Sequence, residues 1–536
     1  MAAIIFGLLG FILLTAPSAA QAQYYYTTNA DHTLTITGYY GPVGAVNIPS
    51  TNKYGLTVTS LGDYAFSECT RLTSVTIPSG VANIGENTFQ YCTSLVSVTI
   101  PGSVTNIGES AFLNCTNLAS VTITNGVPII GDFAFYDCSS LTNVTIPGSV
   151  TNIGDGTFLG CLSLTAITVD AQNAFFSSTN GVLFNKSQTA LVEYPGGGLQ
   201  SYTIPDSVTN IGDWAFSECT NLTSVTIPGS VSSIGEYAFA YCYGLTNATI
   251  GNGVTSIGTQ AFQQCTNLTS VTILGSVTSI GGYAFMACYS LNSVTIANGV
   301  TSIGEGMFAS CYSLNNVTIP NTVTSIGDEA FDYCYSLNNV TIPNRVTSVG
   351  EKAFYECFGM TNVMISGSVT SIGKYAFQGC TSLTSVTIPG SVTNIAGLAF
   401  ADCTSLTEVF FTGNAPTADS TVFQNYNNYY ETNYYSATAY FLPGTTGWNS
   451  PFSGLPAVLW NPLIQVAGGT FGVRNNQFGF NITGSANIPV VVQACTNLAS
   501  PLWVPLQAVT LTNGSFYFSE SVQRNTCARY YRLSAP

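Results

Sequence analysis

Hydrophobic positions recur with a period of 23 residues over most of the chain. Phe occupies one position of the repeat and Cys stands three residues later, as in Phe112 and Cys115. A fixed period of this length is typical of a solenoid, in which each coil buries its apolar side chains against its neighbours. The repeated cysteines are Cys69, Cys92, Cys115, Cys138, Cys161, Cys219, Cys242, Cys265, Cys288, Cys311, Cys334, Cys357, Cys380 and Cys403.

Each repeat contains a short alternating segment and a turn. In the unit 104–126, the segment around Thr122 predicts a half-buried strand with Val121 and Ile123 inward and Thr122 outward. Ile-Gly followed by an acid and Ala-Phe predicts a turn into a short helical or 3₁₀ segment, with the acid, here Glu109, at its N-terminus. The pattern therefore predicts a β-rich α/β solenoid of 23-residue coils with a parallel sheet.

The pattern I-G-x-x-A-F-x-x-C-x-x-L-x-x-V-x-I-P, present from Ile84 to Pro101, resembles the BspA-type bacterial leucine-rich repeat. The resemblance covers residues 32–445. It implies a curved solenoid of the kind carried by secreted or cell-surface bacterial proteins, some of which are adhesins that bind host or matrix proteins. It implies no particular ligand, since the family shares scaffold positions and not a binding motif.

Departures from the period divide the chain. The interval from Cys161 to Cys219 is 58 residues rather than 23. The excess predicts a β-hairpin around Lys186, either a ligand-gripping loop or an insertion that only interrupts the array; we favour the insertion. After Pro462 the period ends, and alternating runs predict a small β-sandwich. The expected parts are a signal peptide (1–22), an N-terminal cap (23–60), leucine-rich repeats (61–408) with an inserted segment (170–200), a C-terminal cap (409–462) and the sandwich (463–536).

The first residues predict the protein's location. An apolar run from Ala2 to Leu14 precedes Ala20-Gln21-Ala22, which is typical of a secretory signal peptide cleaved after Ala22. No later apolar run is long enough to span a membrane. The mature chain is therefore expected to be exported, either secreted or at the bacterial cell surface, without a membrane span and as a monomer. A C-terminal run, from Ala494 to Trp503, resembles a module of other exported bacterial proteins, whose role is attachment, sorting or binding.

Composition restricts the chemistry. Charged residues are 7% of the chain and the net charge is −15, so nucleic acid is not an expected partner. His32 is the one histidine, and no nucleophile with a base, carboxylate pair or phosphate-binding glycine loop is present. We therefore expect no enzymatic activity, no cofactor and no metal. A column of acids, such as Asp63 and Glu86, could bind calcium, but we favour satisfaction of backbone N–H groups at helix starts.

The cysteines have two interpretations. Sixteen Cys in an exported protein would normally indicate disulfides. One Cys per coil, in runs of five and nine, instead favours free and buried thiols that act as small hydrophobic side chains. Cys495 and Cys527 lie outside the ladder, and a disulfide between them remains open.

Two positions of the repeat contain candidate binding residues. The residue after the repeated Cys becomes aromatic at Tyr243, Tyr289, Tyr312, Tyr335 and Phe358. These rings could stack on sugars or anchor a protein partner, or they could only stabilise the sheet edge. Outward threonines resemble the arrays of ice-binding solenoids, although Thr is also a common exposed strand residue. We expect recognition or adhesion through a protein or polysaccharide ligand; the alternative is a structural or ice-interacting surface protein.

Overall fold

The computed structural model describes residues 23–41, 43–427, 431–434, 437–466, 469–522 and 528–535. The expected signal peptide lies outside these ranges. The chain divides after Gly198 into two compact units, which are described in turn. Both consist of β-strands joined by turns, and the described ranges contain no α-helix and no 3₁₀-helix. The expected α/β character is therefore wrong, and the solenoid is built from strands and turns alone.

Unit 1 contains two kinds of strand in each coil, which we call long and short strands. Neighbouring coils pair them in parallel and in register, so that Val98 lies beside Val121. An antiparallel hairpin, Gln23–Thr28 with Leu34–Tyr40, precedes the short strands. The long strands are Gly44–Asn47, Leu72–Thr76, Ser97–Ile100, Ser120–Ile123, Asn143–Ile146 and Ala166–Val169. The short strands are Val58–Leu61, Asn83–Ile84, Asn106–Ile107, Ile129–Ile130 and Asn152–Ile153.

Unit 2 repeats this arrangement. Its long strands form one sheet of twelve. They are Ser201–Thr203, Ser224–Ile227, Asn247–Ile250, Ser270–Ile273, Ser293–Ile296, Asn316–Thr318, Asn339–Thr341, Asn362–Met364, Ser385–Ile388, Glu408–Phe411, Thr438–Phe441 and Ala457–Leu459. The short strands are Asn210–Ile211, Ser233–Ile234, Ser256–Ile257, Ser279–Ile280, Ser302–Ile303, Ser325–Ile326, Ser348–Val349, Ser371–Ile372, Asn394–Ile395 and Thr417–Ala418, and Gln424–Asn427 pairs antiparallel with Glu431–Tyr434.

The last part of unit 2 has two antiparallel sheets that share a core. Phe480, Val492 and Phe518 are buried in that core. One sheet contains Leu463–Gln465, Gly472–Arg474, Gln477–Thr483 and Ser515–Ser521, and the other contains Pro489–Cys495, Val504–Thr510 and Tyr530–Ser534. Cys495 is buried, but Cys527 lies outside the described residues, so their disulfide stays a prediction.

Phe and Cys form the core of the coils. The ring of Phe112 stacks on those of Phe89 and Phe135, with centroid distances of 5.1 Å and 5.2 Å. The thiol of Cys115 donates a hydrogen bond to the carbonyl oxygen of Phe89, 3.2 Å away. Every repeated Cys is free, and all except the half-exposed Cys69 are buried. The prediction of free, buried thiols in the ladder is confirmed.

The segment that was expected to be helical is a series of turns. On either side of Phe89, Asn87 and Tyr91 have left-handed φ angles of 53° and 56°. A helix cannot continue through this conformation, which costs a non-glycine residue about 1 kcal/mol or more. Hydrogen bonds between coils offset that cost: Asn87 N donates to Glu109 O at 2.9 Å, and Tyr91 N donates to Leu113 O at 2.8 Å. Because these partners lie in the next coil, local sequence preference could not predict the turns.

In the coil that contains Gly108, the glycine after Ile is required by close packing against the preceding coil. A Cβ added to Gly108 would lie 2.5 Å from the carbonyl carbon of Gly85 in the preceding coil. Such a contact would force the two backbones apart. This position therefore fixes the separation of the coils.

The inserted segment of unit 1 folds as three antiparallel strands, Phe176–Thr179, Val182–Asn185 and Ala190–Glu193. The Glu193 side chain is buried, and its Oε1 accepts the N–H of Phe158 at 2.8 Å. In the preceding coil, Phe135 N instead donates to the backbone oxygen of Thr157. The insertion thus supplies a side-chain acceptor where the regular repeat supplies a carbonyl. Burial raises the pKa of Glu193 to about 8.

Candidate functional site

Four of the five candidate aromatic residues form one stack on consecutive coils of unit 2. Tyr289 and Tyr312 have ring centroids 4.7 Å apart, Tyr312 and Tyr335 are 4.8 Å apart, and Tyr335 and Phe358 are 4.9 Å apart. The interplanar angles are 8°, 12° and 7°. We call these four residues the aromatic stack.

The backbone beneath the stack fixes this spacing. Ser313 N donates to Tyr289 O at 3.2 Å, and Gly359 N donates to Tyr335 O at 2.8 Å. Neighbouring strands are separated by about 4.8 Å, which is also a favourable distance between stacked rings. The rings therefore reach contact without any change in the coil spacing.

The stack presents ring edges to solvent rather than ring faces. Both faces of Tyr312 and of Tyr335 lie against neighbouring rings. Nevertheless Tyr289, Tyr312 and Phe358 are 39%, 37% and 39% exposed. A sugar that packs on an aromatic residue needs a free face, and within the stack only the outer faces of the first and last rings are left uncovered by another member. Edges and hydroxyl groups suit the mixed apolar and polar surface of a polypeptide better.

Tyr243 does not belong to the stack. It occupies the same position of the repeat, but Thr266 stands in the coil between it and Tyr289. Tyr243 is 42% exposed, and its hydroxyl lies 3.5 Å from Oε1 of Gln264. The structure thus separates this residue from the other four.

A second group of residues, which the sequence analysis missed, adjoins the stack. The ring of Tyr333 meets that of Tyr335 edge-on at 6.0 Å and that of Tyr355 at 5.4 Å. Asp332 is only 8% exposed and Oδ1 of its carboxylate has no hydrogen-bond partner. The sequence contained one signal for this group: Asp332 directly follows the core Phe, where Ala309 stands one coil earlier.

The acid column has a structural role that differs from the expected one. Oδ1 of Asp63 accepts the N–H of Glu86 at 2.9 Å, and Oδ1 of Asp213 accepts the N–H of Glu236 at 2.7 Å. Each acceptor serves the next coil, 23 residues on, and not the start of a helix in its own coil. Among the described residues, no group of three or more His, Cys, Asp or Glu side chains could hold a metal ion.

The outward threonines form a column on the long strands. In unit 2, Thr272 lies beside Thr295, and Thr295 beside Thr318. Their side chains are exposed, as the alternation predicted. Met364 and Phe410 interrupt the column in later strands. The residues that the structure describes include no helix long and apolar enough to cross a membrane.

The similarity of this chain to known proteins lies in its repeats. The family described as BspA type Leucine rich repeat region matches the chain in six copies, over residues 57–188, 194–315 and 301–430, which together exceed half of its length. No curated protein matches the sequence.

Several solved structures are similar to this chain. A leucine-rich repeat protein from Eubacterium ventriosum is 26% identical, with 68% of this chain and 95% of that chain covered and a TM-score of 0.49. One from Bacteroides ovatus is 29% identical, with 74% and 87% covered and a TM-score of 0.42. A leucine-rich cell surface protein from Faecalibacterium prausnitzii is 28% identical, with 66% and 97% covered and a TM-score of 0.39.

Proposed function

Because the chain belongs to the family of BspA-type leucine-rich repeat proteins, we propose that it is an exported, non-enzymatic recognition or adhesion protein. Its signal-peptide pattern supports export to the cell surface or medium. The solenoid binds its ligand through an exposed face, and the mature chain acts as a monomer. The sandwich module attaches the protein, sorts it or adds a second binding surface.

The aromatic stack is the observation that carries this proposal. Tyr and Phe supply large contact area at low cost in side-chain entropy, and they are frequent in the energetic centres of protein interfaces. Four such rings on consecutive coils make a continuous apolar strip on a chain with few charges. Because the inner ring faces are covered, a protein is favoured over a polysaccharide as the ligand.

An array of matrix proteins and glycans tests the proposal. The variant Tyr289→Ser, Tyr312→Ser, Tyr335→Ser should lose retention on protein spots that hold the unchanged protein. The three lost ring contacts are together worth about 3 kcal/mol, so the variant should unfold at a somewhat lower temperature but remain folded under the conditions of the array. Tyr243→Ser is the matched control, since it removes an exposed ring from the same column outside the stack. If retention survives the triple change, or is lost only with the fold, the stack is not the binding surface.

A structural or ice-interacting role is the alternative. The exposed column of Thr272, Thr295 and Thr318 supports it, because regularly spaced threonines could order water at an ice plane. Interruption by Met364 reduces the length of the column. Thermal hysteresis of the purified protein would support this role over recognition.

A further inference from the structure

An acidic cluster lies beside the aromatic stack. It consists of Glu329, Asp332 and Glu356, with Lys352 as the cation that contacts it. Nζ of Lys352 lies 3.3 Å from Oε1 of Glu329. The hydroxyl of Tyr283, which donates to Oε1 of Glu305 at 2.7 Å, also lies 3.3 Å from Oε2 of Glu329. The charge of Lys352 also acts on Asp332, so Glu329 and Asp332 share one ammonium group.

Asp332 is the unsatisfied member of this cluster. Its side chain is more than nine-tenths buried, and Oδ1 accepts no hydrogen bond. A buried carboxylate without a full set of donors is costly, and such groups in folded proteins are normally paired. Lys352 makes its close ion pair with Glu329, so its charge compensates Asp332 only in part.

The cluster is connected to the stack through one residue. Tyr333 joins them, because its ring contacts Tyr335 of the stack and its backbone N–H lies against Asp332. Burial raises the pKa of Tyr335, and the neighbouring ring of Tyr312 and the charge of Glu356 raise it further. The charges of the cluster thus act on the aromatic rings directly.

We propose that the aromatic stack and the acidic cluster together bind a Lys- or Arg-containing segment of a protein partner. This inference rests on the proposed function and names the chemistry of its ligand. The chain carries 25 acidic against 10 basic side chains, which favours approach of a cationic partner. The aliphatic part of a Lys or Arg side chain packs along the ring edges, while its charged end compensates Asp332 and Glu356.

Fluorescence anisotropy on the full-length protein tests the inference. The probe is a short, N-acetylated, labelled peptide in which Lys alternates with Ser, and the control peptide has Glu for each Lys. The Lys peptide should bind, and added salt should weaken its binding. Its affinity for Asp332→Asn should be about tenfold lower than for the unchanged protein. Glu236→Gln, which removes one exposed acid four coils away, should leave affinity within about twofold.

The pH dependence supplies a second readout. Burial, followed by the nearby Glu329, raises the pKa of Asp332 to about 7, while Lys352 lowers it and Glu356 raises it. Raising the pH from about 6 to about 8 should therefore tighten binding, because Asp332 loses its proton. The tightening should vanish in Asp332→Asn, whose fold is preserved because the amide has the shape of the acid.

The possible results separate this inference from the proposed function. Suppose that Asp332→Asn is still retained on matrix proteins and that the Lys and Glu peptides bind equally well. The inference of a basic ligand would then be wrong, while the proposed recognition function would stand. Loss of the Lys peptide in Glu236→Gln as well as Asp332→Asn would show a diffuse charge effect and would also overturn that inference. If no protein spot on the array retains the unchanged protein, the proposed function itself is refuted.

Discussion

Glu193 makes the stability of unit 1 depend on pH. Its carboxyl group is fully buried and accepts the N–H of Phe158, and burial raises its pKa to about 8. The charge of Asp155 raises that pKa further, while the hydrogen bond from Phe158 lowers it. In the unfolded chain the same group has a pKa of about 4.3. Glu193 is therefore protonated in the folded state and ionised in the unfolded state over most of the neutral range.

The sign and size of the effect follow from this difference. Below about pH 4 both states hold the proton, so Glu193 contributes no pH dependence. Between about pH 4 and about pH 8 unfolding releases a proton, and folding loses about 1.4 kcal/mol per pH unit. Above about pH 8 the folded state ionises as well and the loss levels off at roughly 5 kcal/mol.

The variant Glu193→Gln should remove most of this loss. It keeps an oxygen acceptor for Phe158 but cannot ionise, so the local free energy of opening should exceed that of the unchanged protein by several kcal/mol at about pH 8. The two proteins should be nearly equal at about pH 4. Hydrogen exchange of peptides that contain Phe158 is the suitable assay, because all four Trp residues lie beyond residue 198 and Trp fluorescence does not report on unit 1.

Glu193→Ala is the control for the hydrogen bond. It leaves the Phe158 N–H without this acceptor, so at about pH 4 it should lower protection by about 1–3 kcal/mol plus the cost of a cavity. Because it cannot ionise, it should also lack the pH dependence that Glu193 causes, as Glu193→Gln does. If Glu193→Gln is no better protected than the unchanged protein at about pH 8, Glu193 is not a neutral acid in the folded state.

Two further predictions concern the repeat. Cys265 is fully buried, and desolvation holds the pKa of its thiol well above the ordinary value. In the native protein it should therefore resist iodoacetamide, whereas the half-exposed Cys69 should be labelled first. Equal labelling of the two residues, measured by mass spectrometry, would contradict this. Asp213→Ala should lower urea stability by about 1 kcal/mol, because Glu236 N loses its acceptor, whereas Asp213→Asn should cost less. Equal losses in the two variants would mean that the hydrogen bond is not what Asp213 contributes.

The parts of the fold that repeat in every coil were predictable from the sequence. The inward positions of Val121 and Ile123 and the outward position of Thr122 follow from alternation alone, and the burial of Cys115 follows from its fixed distance from Phe112. Such positions are selected identically in each coil, so the period itself identifies them. The family resemblance led to the same architecture.

The turns and the buried acids were not predictable in the same way. Asn87 and Tyr91 adopt left-handed φ angles because the next coil supplies hydrogen-bond acceptors. Asn has some local preference for this conformation, but Tyr has none, so the residues themselves do not identify the turn. Glu193 is buried because an insertion replaces a backbone acceptor, which depends on the register of that insertion. The covering of ring faces at Tyr312 depends on the coil separation, which a sequence pattern does not contain.

The position after the repeated Cys shows how the scaffold and the aromatic stack are independent. Thr266 and Thr381 occupy it in the coils that flank the stack. In those coils the N–H of the following Leu donates to the carbonyl oxygen of the repeated Cys, and Leu291 makes the same hydrogen bond beside Tyr289. The turn therefore does not require an aromatic side chain. Stacking could add about 1 kcal/mol per pair, and it would do so in any run of coils. At this position of the repeat, however, the stacked rings occur in one run, beside the unsatisfied carboxylate of Asp332. Stabilisation of the coils alone gives no reason for that coincidence, whereas a ligand that contacts both groups does.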